Sequence, residues 1–274
     1  MKIIFLGTSG SMPTKERGLS SIAIRREGEV LLFDCGEGTQ RQMIHAGISP
    51  MKINSIFITH FHGDHFLGIA GLIQTLSLLD REEKLEVFGP EGTKEKINDF
   101  LELPIFTQEF EVEVREISSG AEVRRDGYVI QSLETEHGVP ALAYALVEDD
   151  RPGKFYPEKA KELGINPGPD FSKLQDGEEV KNQEDEVVKP SQVMGSPRPG
   201  RKIVYSGDTT PLEEMIEFSR DADVLIHDAT LSGELQELAE EGGHSTVVGA
   251  ARIGKKAGVD RVVLTHISPR YSDS

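Results

Sequence analysis

Histidines and aspartates that could bind a metal crowd into one short stretch of this 274-residue chain. His60, His62, Asp64 and His65 stand in the segment THFHGDH, directly after the apolar run NSIFI. A lone buried histidine is usually a packed core residue, but three imidazoles and a carboxylate at this density have no common packing explanation. Imidazole and carboxylate groups are the ligands that Zn²⁺ and related divalent ions take in proteins. The segment therefore predicts a metal site.

Three further candidate ligands each follow an apolar run that is typical of a β-strand. They are His137 after IQSLETE, Asp208 after KIVYSG and His266 after RVVLT. Open α/β sheets bind ligands beyond the carboxyl ends of their strands, so we expect these residues to join the cluster at one sheet edge. Seven ligands exceed the four that one zinc takes. The set suits two ions that share a carboxylate and a hydroxide, Zn²⁺ best, with Mn²⁺, Co²⁺ or Fe²⁺ also possible.

The composition narrows the class of protein that could carry such a site. A single cysteine excludes a disulfide framework and a cysteine-only metal site, and it fits a reducing, cytoplasmic setting. No run approaches the roughly 18 apolar residues that span a bilayer, so no membrane contact is expected. The net charge of −17 repels nucleic acid in general. Two divalent ions would outweigh two aspartates and a hydroxide, however, so the pocket itself could bind a phosphodiester.

The elements that must position these residues are short strands that alternate with helices. The apolar runs predict strands over 2–6, 21–24, 30–33, 53–59, 85–88, 128–135, 202–206, 223–227 and 261–265. Helical patterns cover 40–46, 67–79, 92–101, 212–220 and 245–256. This alternation predicts an α/β fold with helices flanking the sheets. Ser245 is the expected N-cap of the last helix, which should end near Gly258.

The segment 148–200 differs from the rest because it is rich in proline, glycine and charge. Candidate metal ligands lie on both sides of it, so it is not a boundary between independent domains. Long insertions in compact domains are often functional, and we expect this one to protrude from the core. Local positive charge is supplied there by Arg151, Lys154, Lys159, Lys161 and Lys173.

The ordered motifs resemble the metallo-β-lactamase superfamily and, within it, the ribonuclease Z family. The resemblance rests on GTSGSMPTKERG, FDCGEGTQRQM, THFHGDHFLGIAGL, INPGP, YSGDT, LIHDATL, GGHST and LTHISPRY, which span nearly the whole chain. It implies one domain over 1–274, an αβ/βα four-layer sandwich with metals at one sheet edge. An inserted arm over 149–189 would grip the elbow of tRNA. Family members continue with another helix and strand, so a truncated C-terminus after Ser274 is also implied.

The resemblance also implies a role for each matching residue. It implies one zinc bound by His60, His62, His137 and Asp208, and a second bound by Asp64, His65, Asp208 and His266, with Asp208 as the bridge. Asp64 matches the general base of the family, and His244 of GGHST matches the proton donor to the leaving oxygen. The other possible role for His244 is capping of the next helix, for which Ser245 is better suited.

Four more positions match residues that assist the family's chemistry. His227 and Asp228 match a segment in which an acidic residue positions the catalytic histidine, and His227 is expected behind the ligands rather than among them. Asp228 is one methylene shorter than the family's glutamate, which shortens its reach to His244. Lys15 and Arg270 match positions that contact RNA, and both side-chain types pair with phosphate. A solvated loop lysine is the other interpretation of Lys15.

The function implied by the resemblance is removal of the 3′ trailer from precursor tRNA in the cytoplasm. Attack by a zinc-bound hydroxide would leave a 3′-hydroxyl on the tRNA and a 5′-phosphate on the trailer. Family members are homodimers in which each arm reaches the tRNA bound by the other subunit, and the same is expected here. One alternative is a phosphodiesterase of this fold that acts on small molecules and needs no arm. The other is an RNA-binding protein whose catalysis is impaired.

Overall fold

The first of two six-stranded sheets is built from the N-terminal part of the chain. The computed structural model describes residues 1–102, 105 and 108–272. This sheet runs in chain order through β1 (Lys2–Gly7), β2 (Ser21–Arg26), β3 (Glu29–Phe33), β4 (Ile53–Phe57), β5 (Leu85–Gly89) and β6 (Val112–Glu116). Strands β1 to β3 are antiparallel, whereas β3 to β6 are parallel. The parallel strands therefore end at one edge of the sheet.

The second sheet contains the remaining long strands. They are β7 (Glu122–Arg125), β8 (Tyr128–Glu134), β9 (Leu142–Glu148), β12 (Lys202–Tyr205), β13 (Val224–Asp228) and β14 (Val262–Thr265). Their spatial order is β14-β13-β12-β9-β8-β7, with β12, β13 and β14 parallel. A separate two-stranded hairpin pairs β10 (Val180–Lys181) with β11 (Val187–Val188). The second sheet thus also brings parallel carboxyl ends to one edge.

Helices connect these strands along the chain. They are α1 (Thr39–His45), α2 (Gly63–Phe66), α3 (Gly68–Leu78), α4 (Thr93–Glu102), α5 (Pro157–Glu162), α6 (Pro169–Gln175), α7 (Pro190–Val193), α8 (Glu213–Phe218), α9 (Gln236–Glu241) and α10 (Val247–Ala257). Single 3-10 turns cover Pro50–Lys52, Gly233–Leu235 and Pro269–Tyr271. Among the described residues, no helix is long and apolar enough to cross a bilayer.

One face of the first sheet packs against helices. Val30 and Leu32 of β3 share a buried core with Met43 of α1, Leu72 of α3 and Ile97 of α4. Side chains alternate between the two faces of a strand, so every second residue of β3 points to the helices. The helices therefore form the outer layer on this side.

The opposite face of the first sheet packs against the second sheet through aromatic rings. Phe57 stacks on Phe33 and on Phe88, with ring centroids 5.2 and 4.9 Å apart. Tyr144 of β9 meets Phe57 edge-on at 5.4 Å, and its hydroxyl donates to the Ile58 carbonyl at 2.6 Å. On the second sheet, α10 contacts β13 and β14. The layers thus run helix, sheet, sheet, helix.

The chain divides into two compact units. One comprises residues 1–124, 129–146 and 202–274, and the other comprises 125–128 and 147–201. The second unit has a small core of its own, formed by Ala160, Ile165, Leu174, Val180, Val188 and Val193. The insertion predicted over 149–189 lies within this second unit.

All the strands and helices expected from the apolar runs are present, with ends shifted by a few residues. The expectations missed β6, β7 and β9 of the two large sheets. They also lacked the short elements α2, α5, α6, α7, α9, β10 and β11. Strands β6 (VEVRE) and β7 (EVRR) contain more charged than apolar residues, so neither has a clear apolar run. Strand β9 has the sequence LAYALVE and is buried on both faces, which removes the alternation typical of a strand.

The N-cap predicted for the last helix was wrong by one residue. Thr246 caps α10, because its side chain accepts a hydrogen bond from the Gly249 N–H at 3.1 Å. Ser245 instead donates its hydroxyl to the Thr209 carbonyl at 2.7 Å. The predicted end is confirmed, because Gly258 closes the helix with a left-handed φ of 70°.

At the start of α3 the backbone passes close to the loop that follows β3, and two glycines of this helix can test that contact. A Cβ on Gly68 would lie 2.2 Å from the Gly36 carbonyl oxygen, whereas one on Gly71 would meet only the end of the Gln40 side chain at 3.0 Å. We expect Gly68→Ala to lower the free energy of unfolding by about 1–3 kcal/mol. Gly71→Ala should be neutral or raise it by up to about 1 kcal/mol. Urea unfolding of both variants measures this, and equal stabilities would contradict the close contact.

Candidate metal centre

The candidate ligands lie where strands of both sheets end. His60 follows β4, and His62, Asp64 and His65 lie between this strand and the end of α2. In the second sheet, His137 follows β8, Asp208 follows β12 and His266 follows β14. Parallel pairing of β12, β13 and β14 brings Asp208 and His266 to the same edge of the second sheet, although they are distant in sequence.

Asp208 lies at the middle of the cluster and is 2% exposed. Its carboxylate oxygens lie 3.7, 3.3, 3.5 and 3.2 Å from the Nε2 atoms of His60, His65, His137 and His266, respectively. One carboxylate thus faces four imidazoles, which is the placement expected of a ligand shared between two ions.

The structure brings all seven predicted ligands into groups that could hold a metal. There are three such groups among the described residues, and one of them joins Asp208 and His266 to Asp228 and His244. Ligand atoms of His60, His62, His137 and Asp208 all lie within 4.8 Å of one another, as do those of Asp64, His65 and His266. Asp208 also approaches the second group, through its contacts with His65 and His266. The placement of the seven predicted ligands is compatible with the two sets that the resemblance implies, although Asp228 and His244 also lie close enough to Asp208 and His266 to join a metal site.

Several buried atoms in the cluster lack a hydrogen-bond partner, and these test whether a metal fits. Among the described residues, Nε2 of His60, Nε2 of His65 and Oδ1 of Asp208 have none. The Nδ1 of His65 donates to Asp34 at 2.7 Å, so in the neutral ring its Nε2 carries a lone pair. Acceptor atoms that converge without donors are costly to bury unless a cation compensates them. The donor set therefore fits a divalent metal.

Burial and neighbouring charge shift the pKa values of most of these groups in the direction that metal ligands need. His65 is the exception, because burial is outweighed by the charges of Asp208 and Asp34, which raise its pKa well above the usual value. Burial lowers the pKa of His60 well below its usual value and also lowers that of His137. Burial opposes ionisation of Asp208, but the imidazoles of His266 and His65 outweigh it and hold the Asp208 pKa well below its usual value. Neutral imidazoles and ionised carboxylates are the forms that bind metal.

Asp64 joins the cluster to the loop that follows β1. Its Oδ2 accepts a hydrogen bond from the Ser11 N–H at 2.6 Å and lies 3.2 Å from Nε2 of His266. Burial would raise the Asp64 pKa, but the contact with His266 and the charge of His65 lower it. The side chain is 10% exposed, so it lies at the edge of the cluster.

His244 also belongs to the cluster, through Asp228. The His244 Nδ1 lies 2.9 Å from Asp228 Oδ2 and 3.9 Å from Asp208 Oδ2. The shorter aspartate side chain therefore does reach the histidine. Burial lowers the pKa of His244, but the hydrogen bond to Asp228 and its charge outweigh burial and raise it. The Nδ1 of His244 is thus engaged by Asp228, whereas its Nε2 is not part of this contact.

His227 is part of β13, next to Asp228 in the sequence. It is fully buried, and its Nδ1 lies 2.8 Å from the backbone carbonyl oxygen of Asp228. It belongs to none of the groups capable of holding a metal in the part of the chain that the structure describes. Asp228, by contrast, contacts the cluster directly, because its carboxylate is hydrogen-bonded to His244.

The two residues predicted to contact RNA are exposed. Lys15 lines a groove of about 430 Å³ that also contains Arg17, Arg41 and His45. Arg270 lies in the 3-10 turn that follows His266. Neither residue is drawn into the metal cluster.

Asp34 is a functional candidate that the sequence interpretation missed. It is fully buried, and its Oδ2 accepts from His65 Nδ1 at 2.7 Å, Tyr205 Oη at 2.8 Å and Thr59 Oγ1 at 2.9 Å. Its backbone is left-handed, with φ of 57°. An aspartate directly after the apolar strand VLLF was the available signal. The neighbouring Cys35 is buried, which raises its pKa to about 12 and keeps it a thiol.

Comparisons with known proteins agree with this geometry. Residues 1–151 match the family described as anti-Pycsar protein Apyc1, and residues 165–267 match a β-lactamase superfamily domain. The ribonuclease Z of Methanosarcina acetivorans is 54% identical over 100% of this chain and 89% of its own length. That of Haloferax volcanii is 48% identical over 99% of this chain and 86% of its own.

A solved structure extends the likeness to three dimensions. The short form of human tRNase Z superposes with a TM-score of 0.75 at 30% identity, over 99% of this chain and 94% of that one. The predicted fold class and family are therefore confirmed. The chain belongs to the ribonuclease Z family of hydrolytic endoribonucleases, within the metallo-β-lactamase superfamily.

Proposed function

We propose that this chain is a two-zinc endoribonuclease that removes the 3′ trailer from precursor tRNA. The observation that carries the proposal is the buried Asp208, which faces four imidazoles, two of them with unpartnered Nε2 atoms. Family membership favours tRNA as the substrate, because a relative at 30% identity is a tRNase Z. A homodimer and a cytoplasmic location stay predictions.

The proposed ligand sets follow two of the groups in the cluster. His60, His62 and His137 would hold one ion, Asp64, His65 and His266 the other, and Asp208 would bridge them. Imidazole and carboxylate ligands without thiolate favour zinc, with manganese, cobalt or iron as alternatives. Two such ions, when bound, would supply an acidified water as nucleophile and positive charge for the phosphodiester oxygens.

Asp64 and His244 are proposed to handle the two protons of the reaction. Asp64 is held by the Ser11 N–H and by His266, so its carboxylate is positioned to take a proton from the attacking water. His244 is held through Nδ1 by Asp228, which leaves Nε2 to protonate the departing ribose oxygen. Cleavage between phosphorus and this oxygen leaves a 3′-hydroxyl on the tRNA and a 5′-phosphate on the trailer.

Cations outside the cluster are proposed to hold the RNA. Lys15 and Arg270 are exposed in the unit that carries the cluster and can pair with phosphates. In the inserted unit, Lys154 and Lys159 lie 5.8 and 4.8 Å from the ring of Tyr156. An aromatic ring can stack on a base, and the two ammonium groups near it can pair with backbone phosphates. We propose that this part of the arm contacts the tRNA elbow.

Metal removal tests the cluster. Chelation should abolish cleavage of a labelled precursor tRNA, added Zn²⁺ should restore it, and metal analysis should find two ions per chain. Asp208→Ala should lower the metal content, because a shared ligand is lost, and should abolish cleavage. Asp99→Ala, which removes an exposed aspartate of α4 outside the cluster, is the matched control. A wild-type protein that holds at most one ion when fully loaded would contradict the proposal.

The role of His244 can be separated from metal binding by the choice of substrate. His244→Ala should slow precursor-tRNA cleavage by about 10²–10⁴-fold, because the ribose oxygen then leaves without a proton donor. Hydrolysis of bis(p-nitrophenyl) phosphate, whose leaving group needs no proton, should fall much less, and two ions should remain bound. Equal losses on both substrates would show that His244 is not the proton donor.

The arm distinguishes tRNA processing from the alternative functions. Arg151 and Arg198 pair through two backbone hydrogen bonds of 2.8 and 2.9 Å, so a short glycine link can replace residues 152–197. We expect this deletion to lose precursor-tRNA cleavage and retain hydrolysis of the chromogenic diester. Equal effects on both substrates would favour a small-molecule phosphodiesterase. Tight RNA binding by the metal-loaded full chain without cleavage would favour the RNA-binding alternative.

A further inference from the structure

Two threonine hydroxyls stand between a buried carboxylate and a metal-ligand candidate. Thr59 Oγ1 lies 2.9 Å from Asp34 Oδ2 and 2.9 Å from His60 Nδ1. Thr230 Oγ1 lies 2.7 Å from Asp228 Oδ1 and 2.7 Å from His266 Nδ1. Thr59 is fully buried, and Thr230 is 9% exposed. The same arrangement, carboxylate, hydroxyl and imidazole, thus occurs twice.

The number of protons available decides the direction of each hydrogen bond. A hydroxyl has one proton, and an ionised carboxylate can only accept. Asp34 accepts from the Thr59 N–H at 2.7 Å, and Asp228 accepts from the Thr230 N–H at 2.9 Å, so both carboxylates act as acceptors. Each threonine therefore gives its proton to the carboxylate. Its oxygen must then accept a proton from the imidazole Nδ1.

We propose that Thr59 and Thr230 fix the ring tautomers of His60 and His266, and thereby prepare both rings to bind metal. With the proton held on Nδ1, the lone pair of the neutral ring is on Nε2. The Nε2 of His60 faces Asp208 without a hydrogen-bond partner among the described residues. The threonines are positioning residues, and the inference rests on the metal site proposed above.

The tautomer needs fixing because the carboxylates of the cluster favour the other one. Nε2 of His266 lies 3.2 Å from both Asp64 and Asp208. In a ring with its proton on Nε2, that N–H would hydrogen-bond to these carboxylates and block the lone pair. Each threonine opposes this tautomer, because its hydroxyl oxygen is placed to accept a hydrogen bond from Nδ1 and not from Nε2. Groups behind the ligands often tune metal affinity in this way.

The two threonines also connect the cluster to both sheets in the same manner. Asp34, after β3, holds His65 directly and His60 through Thr59. Asp228, at the end of β13, holds His244 directly and His266 through Thr230. Each carboxylate thus orients one imidazole by contact and one through a hydroxyl.

Isosteric substitution separates the hydroxyl from the shape of the side chain. We expect Thr59→Val and Thr230→Val, measured by competition with a chelator, each to weaken zinc binding by about 10–100-fold. Thr59→Ser and Thr230→Ser, which keep the hydroxyl, should remain within a few-fold of the wild type. Thr93→Val is the matched control, because Thr93 is also fully buried but donates its hydroxyl to the Pro90 carbonyl outside the cluster.

A spectroscopic measurement tests the tautomer itself. In the full-length, ¹⁵N-labelled protein after chelation, imidazole ¹⁵N shifts should place the proton of His266 on Nδ1, and Thr230→Val should move it toward Nε2. Unchanged tautomers and unchanged zinc affinity in folded valine variants would overturn the proposal, as would serine variants as weak as the valine ones. A wild type that binds no zinc would instead overturn the proposed function.

Discussion

The buried carboxylate of Asp208 is the constraint on which the rest of the structure depends. An ionised group that is 2% exposed is costly to bury, and hydrogen bonds alone do not compensate it, because Oδ1 has no donor among the described residues. In the tautomer proposed for metal binding, the imidazoles around it direct lone pairs toward the same space. A cation can pair with the carboxylate oxygens and with the imidazole nitrogens at the same time. The burial of Asp208 and the binding of metal therefore depend on each other.

The need to hold the candidate ligands around Asp208 explains features of the fold that lie away from the cluster. The ligands come from strands of both sheets, and the aromatic layer of Phe57 and Tyr144 holds these sheets together. The Tyr144 hydroxyl donates to the Ile58 carbonyl, two residues before His60. At Gly68, the chain passes too close to the Gly36 carbonyl for any side chain. Packing of the core therefore fixes the positions of the candidate ligands.

The sequence was sufficient to predict which side chains meet in the cluster, because HxHxDH and the polar ends of apolar strands are local signals. It was insufficient for Asp34, whose partners His65 and Tyr205 lie 31 and 171 residues away, so only the folded chain shows the contact. The same holds for Asp228, whose reach to His244 depends on where β13 ends. Strand β9 was missed for a different reason, since burial on both faces removes the alternation that marks a strand.

The arm shows how an acidic protein can be reconciled with an RNA substrate. Carboxylates outnumber cations within 147–201, and Lys161 and Lys173 are paired with Glu158 and Asp170 of their own helices. The arm is therefore not a basic appendage as a whole. Screening at physiological salt acts over about 8 Å, so what a phosphate meets is set by its nearest side chains. A local pair such as Lys154 and Lys159 around Tyr156 can then attract RNA although the chain carries a charge of −17.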